Sequence, residues 1–112
     1  MTDQRVVIEM GMGNDQYGRD YTKAAARAIE DAIRHSSLPL IRGLEVPAAE
    51  MRVQVTVGVQ DPGAVDTDAL AQKLPHGTVT VRAVRGGLDV ASEDGQSAIV
   101  IASAAVEVFL PP

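Results

Sequence analysis

The length, composition and charge of the chain exclude several classes of protein. Its 112 residues suffice for one domain with one core and are too few for two domains of ordinary size. Apolar residues make up 46% and charged residues 22%, which is typical of a globular protein and not of a disordered, collagen-like or coiled-coil chain. The absence of cysteine excludes disulfides, thiolate metal sites and cysteine nucleophiles.

The charge balance argues against nucleic-acid partners, and the lack of a long apolar run argues against a membrane partner. The net charge of −5 would repel a phosphate backbone, and the positive residues do not cluster. No apolar run reaches the roughly 18 residues of a membrane-spanning helix, and the first residues lack the features of a signal peptide. We therefore expect a cytoplasmic protein that binds neither nucleic acid nor membrane.

The first half of the chain predicts a strand, a glycine loop and a helix. Residues 5–10 alternate in the manner of a strand that ends at Gly11 and Gly13. Residues 20–35 carry apolar side chains at helical spacing, and Asp20 or Thr22 could serve as the N-cap. Residues 36–50 show no sustained period and predict a connection, with a short strand near residues 40–44.

The second half predicts further strands around a short helix. Four valines alternate with other residues over 52–59, which is the clearest strand pattern in the chain. A turn at 61–63 leads to a helix over 66–73, capped by Asp66 and ended by Pro75. Strands are predicted over 78–84, with a bend at Gly86 and Gly87 and a continuation over 88–91, and over 98–110 after a hairpin loop at 92–96.

These elements predict a single α/β (α+β) domain over residues 1–112. The order is β-α-β-α-β-β, with a four-stranded mixed sheet and helices packed on it. If both helices lie on one face, the other face is left bare, and the chain offers more apolar surface than two helices would cover. We therefore expect a homo-oligomer whose subunits pack sheet faces or edges together, the alternative being a monomer with a compact core.

The segment between the first strand and the helix is the strongest candidate site. Asn14, Asp15 and Tyr17 follow the two glycines at the carboxyl end of a strand, where open α/β sheets commonly bind ligands. A dinucleotide-binding fingerprint would need glycine at position 16, which is Gln16, and the chain has no Walker motif. A ligand-binding loop and a glycine-rich turn with capping residues both remain open.

Other polar residues are weaker candidates. Glu9 precedes the loop and could partner Asp15 in acid/base chemistry, or it could be an exposed strand residue. His76 lies in a predicted loop, where a surface histidine is the ordinary interpretation. Arg82 and Arg85 could clamp a carboxylate from a neighbouring subunit, or they could be solvated strand charges. No spacing of His, Asp and Glu indicates a zinc or EF-hand site.

The sequence from Gly11 to Gly18, together with the helix start that follows, resembles the Lin-type family of small uncharacterised bacterial and plant proteins. The signature of that family is G-x-G-x-D-x-H-G, and the segments 57–62, 74–77 and 86–88 fit its general layout. The resemblance points to Asp15 as the matched functional position and implies no settled activity. This chain departs from the pattern at Tyr17, where the family has histidine. A phenol can donate a hydrogen bond, but it is a poor base at neutral pH.

A weaker similarity links the chain to one domain of the ring-opening amidohydrolases that act on cyanuric acid and barbiturate. Asn14, the residues Asp20-Tyr21-Thr22 and the strand at 52–59 carry it. Those enzymes use serine and lysine dyads, and the strand at 52–59 ends without a serine, so their mechanism is not carried over. The similarity implies three such units around a shared site, and hence a trimer or a multiple of it.

Two functional hypotheses follow. The first is a small homo-oligomeric enzyme that acts on a compact polar metabolite at a subunit interface by acid/base chemistry, namely cyclic amide hydrolysis, cyclisation, isomerisation or hydration. Its predicted catalytic residues are Asp15, Tyr17 and Glu9. Its predicted ligand-binding residues are Gly11, Gly13, Asn14, Gly18, His76, Arg82 and Arg85, and no metal or cofactor is expected. The second is a non-catalytic ligand-binding or structural module in which residues 11–18 shape the entry into the helix.

Overall fold

The computed structural model describes residues 3–34, 50–74 and 77–111, which form five strands and two α-helices. The strands are β1 (Gln4–Asp15), β2 (Arg52–Val59), β3 (Thr78–Arg85), β4 (Leu88–Ala91) and β5 (Ala98–Leu110). The helices are α1 (Tyr21–Arg34) and α2 (Thr67–Gln72), and a short 3-10 turn, Pro62–Ala64, precedes α2. The predicted order of elements and the mixed sheet with helices packed on it are confirmed.

The sheet has the strand order β1-β5-β2-β3. The long strand β5 pairs antiparallel with both β1 and β2, and β2 pairs parallel with β3 through the crossover that contains α2. Beyond the end of β2 the chain bends at Gly86 and Gly87, and β4 then pairs with β5. The sheet therefore has five strands and not the predicted four, because the two sides of this bend pair with different neighbours.

Both helices pack on one face of the sheet, and the core lies between them and the strands. The alternate valines of β2 and β5 are buried on this face, as the period of two predicts. Helix α1 contributes mainly small side chains: Ala24, Ala25, Ala28 and Ala32 are all buried. Small residues let the helix axis come close to the sheet, and this closeness shapes β1.

Strand β1 runs to Asp15, and the prediction that it ends at Met10 before a glycine loop is wrong. Gly11 and Gly13 lie within the strand, directly beneath α1. A β-carbon on Gly11 would stand 2.4 Å from the backbone nitrogen of Ala32, and one on Gly13 would stand 2.4 Å from that of Ala28. The glycines are therefore explained by close packing of helix on strand, and not by a flexible turn.

The other predicted boundaries agree with the structure wherever residues are described. Helix α1 begins after Asp20, whose side chain accepts a hydrogen bond from the Lys23 amide at 3.0 Å. Helix α2 begins after Asp66, whose side chain accepts from the Ala69 amide at 3.0 Å. The predicted connection over 36–50, apart from Glu50, lies outside the described residues together with its short strand, and so do the predictions for Pro75 and His76.

The second face of the sheet packs against none of the described elements. Ile8, Met10 and Met12 of β1 point to this face and are exposed, whereas Val7 points to α1 and is buried. The oligomer prediction assumed that both helices lie on one face of the sheet, and the structure places them there. The assembly itself stays a prediction.

Candidate functional site

Asp15 closes the loop between β1 and α1. One carboxylate oxygen, Oδ2, accepts hydrogen bonds from the Gly18 amide at 3.1 Å and the Asp20 amide at 3.0 Å. These two amides flank Arg19, whose backbone takes a left-handed φ of 48°. The Asp15 carboxylate therefore fixes the path of the chain from the end of the strand into the first turn of the helix.

The same contacts keep the Asp15 carboxyl group ionised. The hydrogen bond from the Asp20 amide is the largest cause of a pKa below the ordinary value of 3.8, and the Gly18 amide, Lys23 and Arg27 add to it. Partial burial opposes the shift without reversing it. A carboxylate of this kind is a weak base at neutral pH, so the geometry favours a positioning role for Asp15.

Two cations of α1 lie beside the other carboxylate oxygen. Oδ1 of Asp15 is 3.9 Å from Nζ of Lys23 and 3.8 Å from a guanidinium nitrogen of Arg27. The two residues are four apart, so their side chains leave the same face of the helix. About half of each side chain is exposed, 55% for Lys23 and 46% for Arg27. One carboxylate thus faces two cations that remain open to solvent.

Arg27 also binds the strand edge. Its guanidinium donates to the carbonyl oxygen of Asn14 at 2.6 Å, and one turn later Asp31 accepts from the Met12 amide at 3.0 Å. The Asn14 carbonyl and the Met12 amide both point away from β5, because β1 is the edge strand among the described strands. Helix α1 therefore supplies side-chain partners for the last residues of β1, which is one way to blunt an exposed strand edge.

These residues line an open depression at the end of β1. Its volume is about 320 Å³, and its lining residues are Asn14, Asp15, Gln16, Tyr17, Lys23 and Arg27. Tyr17 is 85% exposed, so its ring stands at the rim. The structure thus brings together three of the predicted site residues, Asn14, Asp15 and Tyr17, while Gly18 contributes its amide to Asp15.

A second polar cluster lies on the other side of the start of α1. The Tyr21 hydroxyl donates a hydrogen bond to Oδ2 of Asp89 on β4, and this contact is the largest cause of a raised pKa for Tyr21. Asp15 and Asp89 stand opposite the same residue of β5, Val100, one on each side. The first turn of α1 is therefore tied to the sheet through a carboxylate on either side.

The remaining predicted site residues are not brought to the depression. Glu9 is six residues from Asp15 along an extended strand, roughly 20 Å away. Arg82 and Arg85 lie on β3, three strand spacings or about 14 Å from β1 across the sheet. Arg82 instead donates to the Thr56 hydroxyl at 3.1 Å. A role for the arginines in a neighbouring subunit stays a prediction, and His76 lies outside the described residues.

Sequence reasoning missed Lys23 and Arg27. Neither residue is among the candidate site residues that the sequence indicates. A signal was available, because two cations four residues apart in the first turns of a helix must face whatever precedes that helix. Only the position of the loop relative to that face was unknown.

The described residues hold neither a metal-binding cluster nor a membrane span. Among residues 3–34, 50–74 and 77–111, no three His, Asp or Glu side chains are grouped in a way that could hold a metal ion. Within the same ranges, no helix is long and apolar enough to cross a membrane.

The fold and the site define a two-layer α+β domain in which the Asp15 side chain links the end of strand β1 to the start of helix α1. The family model described as "Conserved hypothetical protein (Lin0512_fam)" matches residues 5–108. The chain therefore belongs to the Lin0512 family, which confirms the predicted membership, while the signature quoted for residues 11–18 stays a prediction. The similarity to ring-opening amidohydrolases stays a prediction.

A solved structure supports the fold. The chain is similar to a crystal structure, at 1.22 Å resolution, of an FtsZ-like protein of unknown function from Nostoc punctiforme, with 36% sequence identity and a TM-score of 0.85. The match covers 100% of this chain and 99% of the other. A comparison with curated proteins finds no match.

Proposed function

We propose that this protein binds a compact anionic metabolite, such as an oxo acid or a phosphorylated compound, in the depression beside Asp15. The observation that carries the proposal is the chemistry of the lining. Of its six residues, five can donate hydrogen bonds, namely Asn14, Gln16, Tyr17, Lys23 and Arg27. Asp15 is the one carboxylate among them, and it stands opposite two cations. The lining therefore carries a net positive charge in a chain whose overall charge is −5.

Tyr17 is the lining residue whose side chain is most available to a ligand. Gly11 and Gly13 are explained by the approach of α1, and Asp15 and Gly18 are explained by the hydrogen bond between them. Tyr17 is largely exposed. In the signature G-x-G-x-D-x-H-G, its position is predicted to hold histidine. Both side chains can donate a hydrogen bond, so an anionic ligand is compatible with either residue.

Asp15 contributes to this function by positioning other groups. Its Oδ2 atom is saturated by two amides, and its Oδ1 atom lies between the cationic groups of Lys23 and Arg27. A ligand anion would approach the solvent side of these two groups. The carboxylate would then keep both cations close to the loop, which lowers the conformational entropy that binding must remove.

The experiment is a titration with inorganic phosphate and, separately, with pyruvate, followed by isothermal calorimetry at constant ionic strength. Lys23→Gln should weaken binding of the preferred anion about tenfold, because a charge-assisted hydrogen bond is lost. Arg34→Gln is the matched control. Arg34 lies on the same helix in an exposed pair with Glu30, and its replacement should leave the affinity unchanged. Equal affinities for the wild type and Lys23→Gln would contradict the proposal.

A second candidate is acid/base catalysis on the bound metabolite, covering the cyclic amide hydrolysis, cyclisation, isomerisation or hydration that the sequence suggested. The observation in its favour is that Tyr17 and Asp15 line the same depression. Proton transfer would fall to the Tyr17 hydroxyl, since the Asp15 carboxylate is held in its ionised form. Tyr17→Phe should then abolish turnover of an identified substrate, whereas phosphate affinity should fall only by the severalfold that one lost hydrogen bond costs.

We also propose that the chain forms homo-oligomers. This proposal is supported by the sheet face that packs against none of the described elements. That face bears exposed isoleucine, leucine, valine and methionine side chains. The molar mass measured by sedimentation equilibrium tests this part independently of anion binding. A mass equal to one chain, 11.8 kDa, at all accessible concentrations would exclude self-association.

A further inference from the structure

The second face of the sheet is divided into an apolar half and a polar half. The register places Met12, Ser103, Gly58 and Val84 in one row across β1, β5, β2 and β3. On the side towards β4 the face is apolar: Leu88 stands opposite Ile101, and Val90 stands opposite Ile99. On the other side, β2, β3 and β5 carry Thr56, Arg82, Gln54, Glu107, Thr80, Arg52 and Thr78, while the exposed Met10 and then Ile8 continue the apolar half along β1.

In the apolar half, large exposed side chains surround a strip of residues with small side chains. Met12 is 60% exposed and Leu88 is 56% exposed. Between Met12 and Val84, the row is filled by Ser103 and Gly58, which have little or no side chain. A methionine or leucine from a facing surface would fit this low strip, and methionine side chains adapt readily to such gaps.

We infer that the apolar half is covered by the apolar half of a second copy of this chain, related by a two-fold axis. The inference deepens the self-association proposed above, and it rests on that part of the proposal and not on anion binding. In an isologous contact each copy presents the same patch, so the prominent side chains of one copy meet the low strip of the other. Two sheet faces packed in this way lie about 10 Å apart, with interdigitated side chains.

The exposed apolar area matches what a small dimer requires. Met10, Met12, Val84, Leu88, Val90 and Ile99 are each between 40% and 71% exposed, which amounts to roughly 600 Å² of apolar surface. Two copies would bury on the order of 1,200 Å² from these side chains alone, the lower bound of specific interfaces. A patch of this size on an isolated chain is at the upper end for a soluble monomer.

The charges of the same face favour a second copy in this orientation. Arg5, Arg52 and Arg82 lie at or beyond the polar half, with Glu107 beside Arg5 at 3.1 Å. A two-fold axis that lies between the two sheets and runs across the strands of the apolar half moves the arginine ends of the two copies apart, so like charges do not meet. Complete overlap of the two faces would instead bring the arginines close together.

The test compares lysine substitutions in the two halves by sedimentation equilibrium. The wild type should have a molar mass of two chains, or an even multiple. Leu88→Lys and Met12→Lys, on different strands of the apolar half, should each lower the mass to half that of the wild type. Thr80→Lys places the same charge at an exposed position of the polar half and should leave the mass unchanged. Circular dichroism of each variant verifies the fold.

The outcomes separate this inference from the other proposals. A wild type with an odd number of chains, including the trimer suggested by the amidohydrolase similarity, overturns the two-fold contact. The two-fold contact is also overturned if both Leu88→Lys and Met12→Lys keep the molar mass of the wild type. A monomeric wild type overturns it as well. If instead phosphate and pyruvate fail to bind while the lysine variants dissociate as described, the anion proposal fails and the interface stands.

Discussion

Asp15 shows how one side chain can fix the conformation of a loop through several contacts at once. Its Oδ2 atom holds the two amides on either side of Arg19, and its Oδ1 atom lies near Lys23 and Arg27. Every one of these contacts favours the ionised carboxyl group. The charge of Asp15 is therefore coupled to the conformation of the loop and hence to the stability of the fold.

Replacement of Asp15 by asparagine should lower stability in a manner that depends on pH. The folded-state pKa lies below the ordinary value of 3.8, so the stabilisation is fully present above that value and is lost as the pH falls through the folded-state pKa. The difference in free energy of unfolding between wild type and Asp15→Asn should be constant above about pH 5 and shrink in more acidic solution. Urea denaturation at a series of pH values measures it. Glu93→Gln, in the exposed hairpin loop, is the control and should stay within about 0.5 kcal/mol of the wild type at neutral pH. A difference for Asp15→Asn that grows in acid would refute the assignment.

Gly13 has a different role, since its importance lies in the atom that it lacks. A β-carbon there would stand 2.4 Å from the Ala28 nitrogen and 2.6 Å from the Arg27 carbonyl carbon. Because these are backbone atoms, the strain can be relieved only if α1 moves away from the sheet. Gly13→Ala should therefore destabilise the fold by about 3 kcal/mol, measured by urea denaturation.

Gly63→Ala is the control for this substitution. Its nearest contact would be 3.7 Å, from an Asp61 carboxylate oxygen, and its backbone is not left-handed. The change should stay within about 0.5 kcal/mol of the wild type. Similar effects at positions 13 and 63 would show that α1 does not approach β1 as closely as described.

At the scale of elements, the bend between β3 and β4 determines the shape of the sheet. Gly86 and Gly87 pass over the end of β2, where the Gln60 side-chain amide donates to the carbonyl oxygens of both, at 3.0 Å and 3.2 Å. The bend lets one stretch of chain pair first with β2 and then with β5. Leu88 and Val90 of β4 thereby extend the apolar part of the second face.

Gly87 and Gly95 both have a positive φ, of 63° and 71°. Comparing them distinguishes the strain of the backbone conformation from the strain of a steric clash. A β-carbon on Gly87 would also stand 2.1 Å from the Ile101 carbonyl oxygen, whereas one on Gly95 would meet nothing within 4 Å. Gly95→Ala should cost about 1 kcal/mol from the backbone conformation alone. Gly87→Ala should cost more than about 3 kcal/mol, because the clash adds to that strain. Thermal unfolding of both variants measures the difference, and equal effects would mean that the bend can relax.

The sequence was most informative where a local pattern alone determines the element. Strand β2 and both helix caps could be predicted because alternating valines and aspartates before helices act through neighbouring residues. The end of β1 could not, since Gly11 and Gly13 indicate a turn by propensity and occupy a strand only because α1 packs on them. Lys23 and Arg27 were missed for the same reason: their role depends on which loop the helix face meets. Asp15 and Tyr17 line the same depression because they are close together in sequence, and their roles stay predictions.

At the scale of the whole molecule, the two faces of the sheet differ in the side chains that they carry and in what packs on them. One face is covered by helices whose small side chains pack closely, and the loop above Asp15 forms at its end. The other face carries exposed methionine, leucine, isoleucine and valine side chains at one end and along β1, and arginines at the other end. A chain with a net charge of −5 remains soluble with such a patch more easily when copies of the patch cover each other.

If copies of the chain associate through this face, thermal stability must depend on protein concentration. Association stabilises the folded state by mass action, so each tenfold increase in concentration should raise the unfolding midpoint by about 3 °C for a dimer of chains of this length. Scanning calorimetry over a wide range of concentrations measures the slope. Leu88→Lys should unfold at a midpoint independent of concentration, and Thr80→Lys should keep the wild-type slope. A flat response of the wild type would show that the folded chain is stable alone, with its apolar half exposed to water.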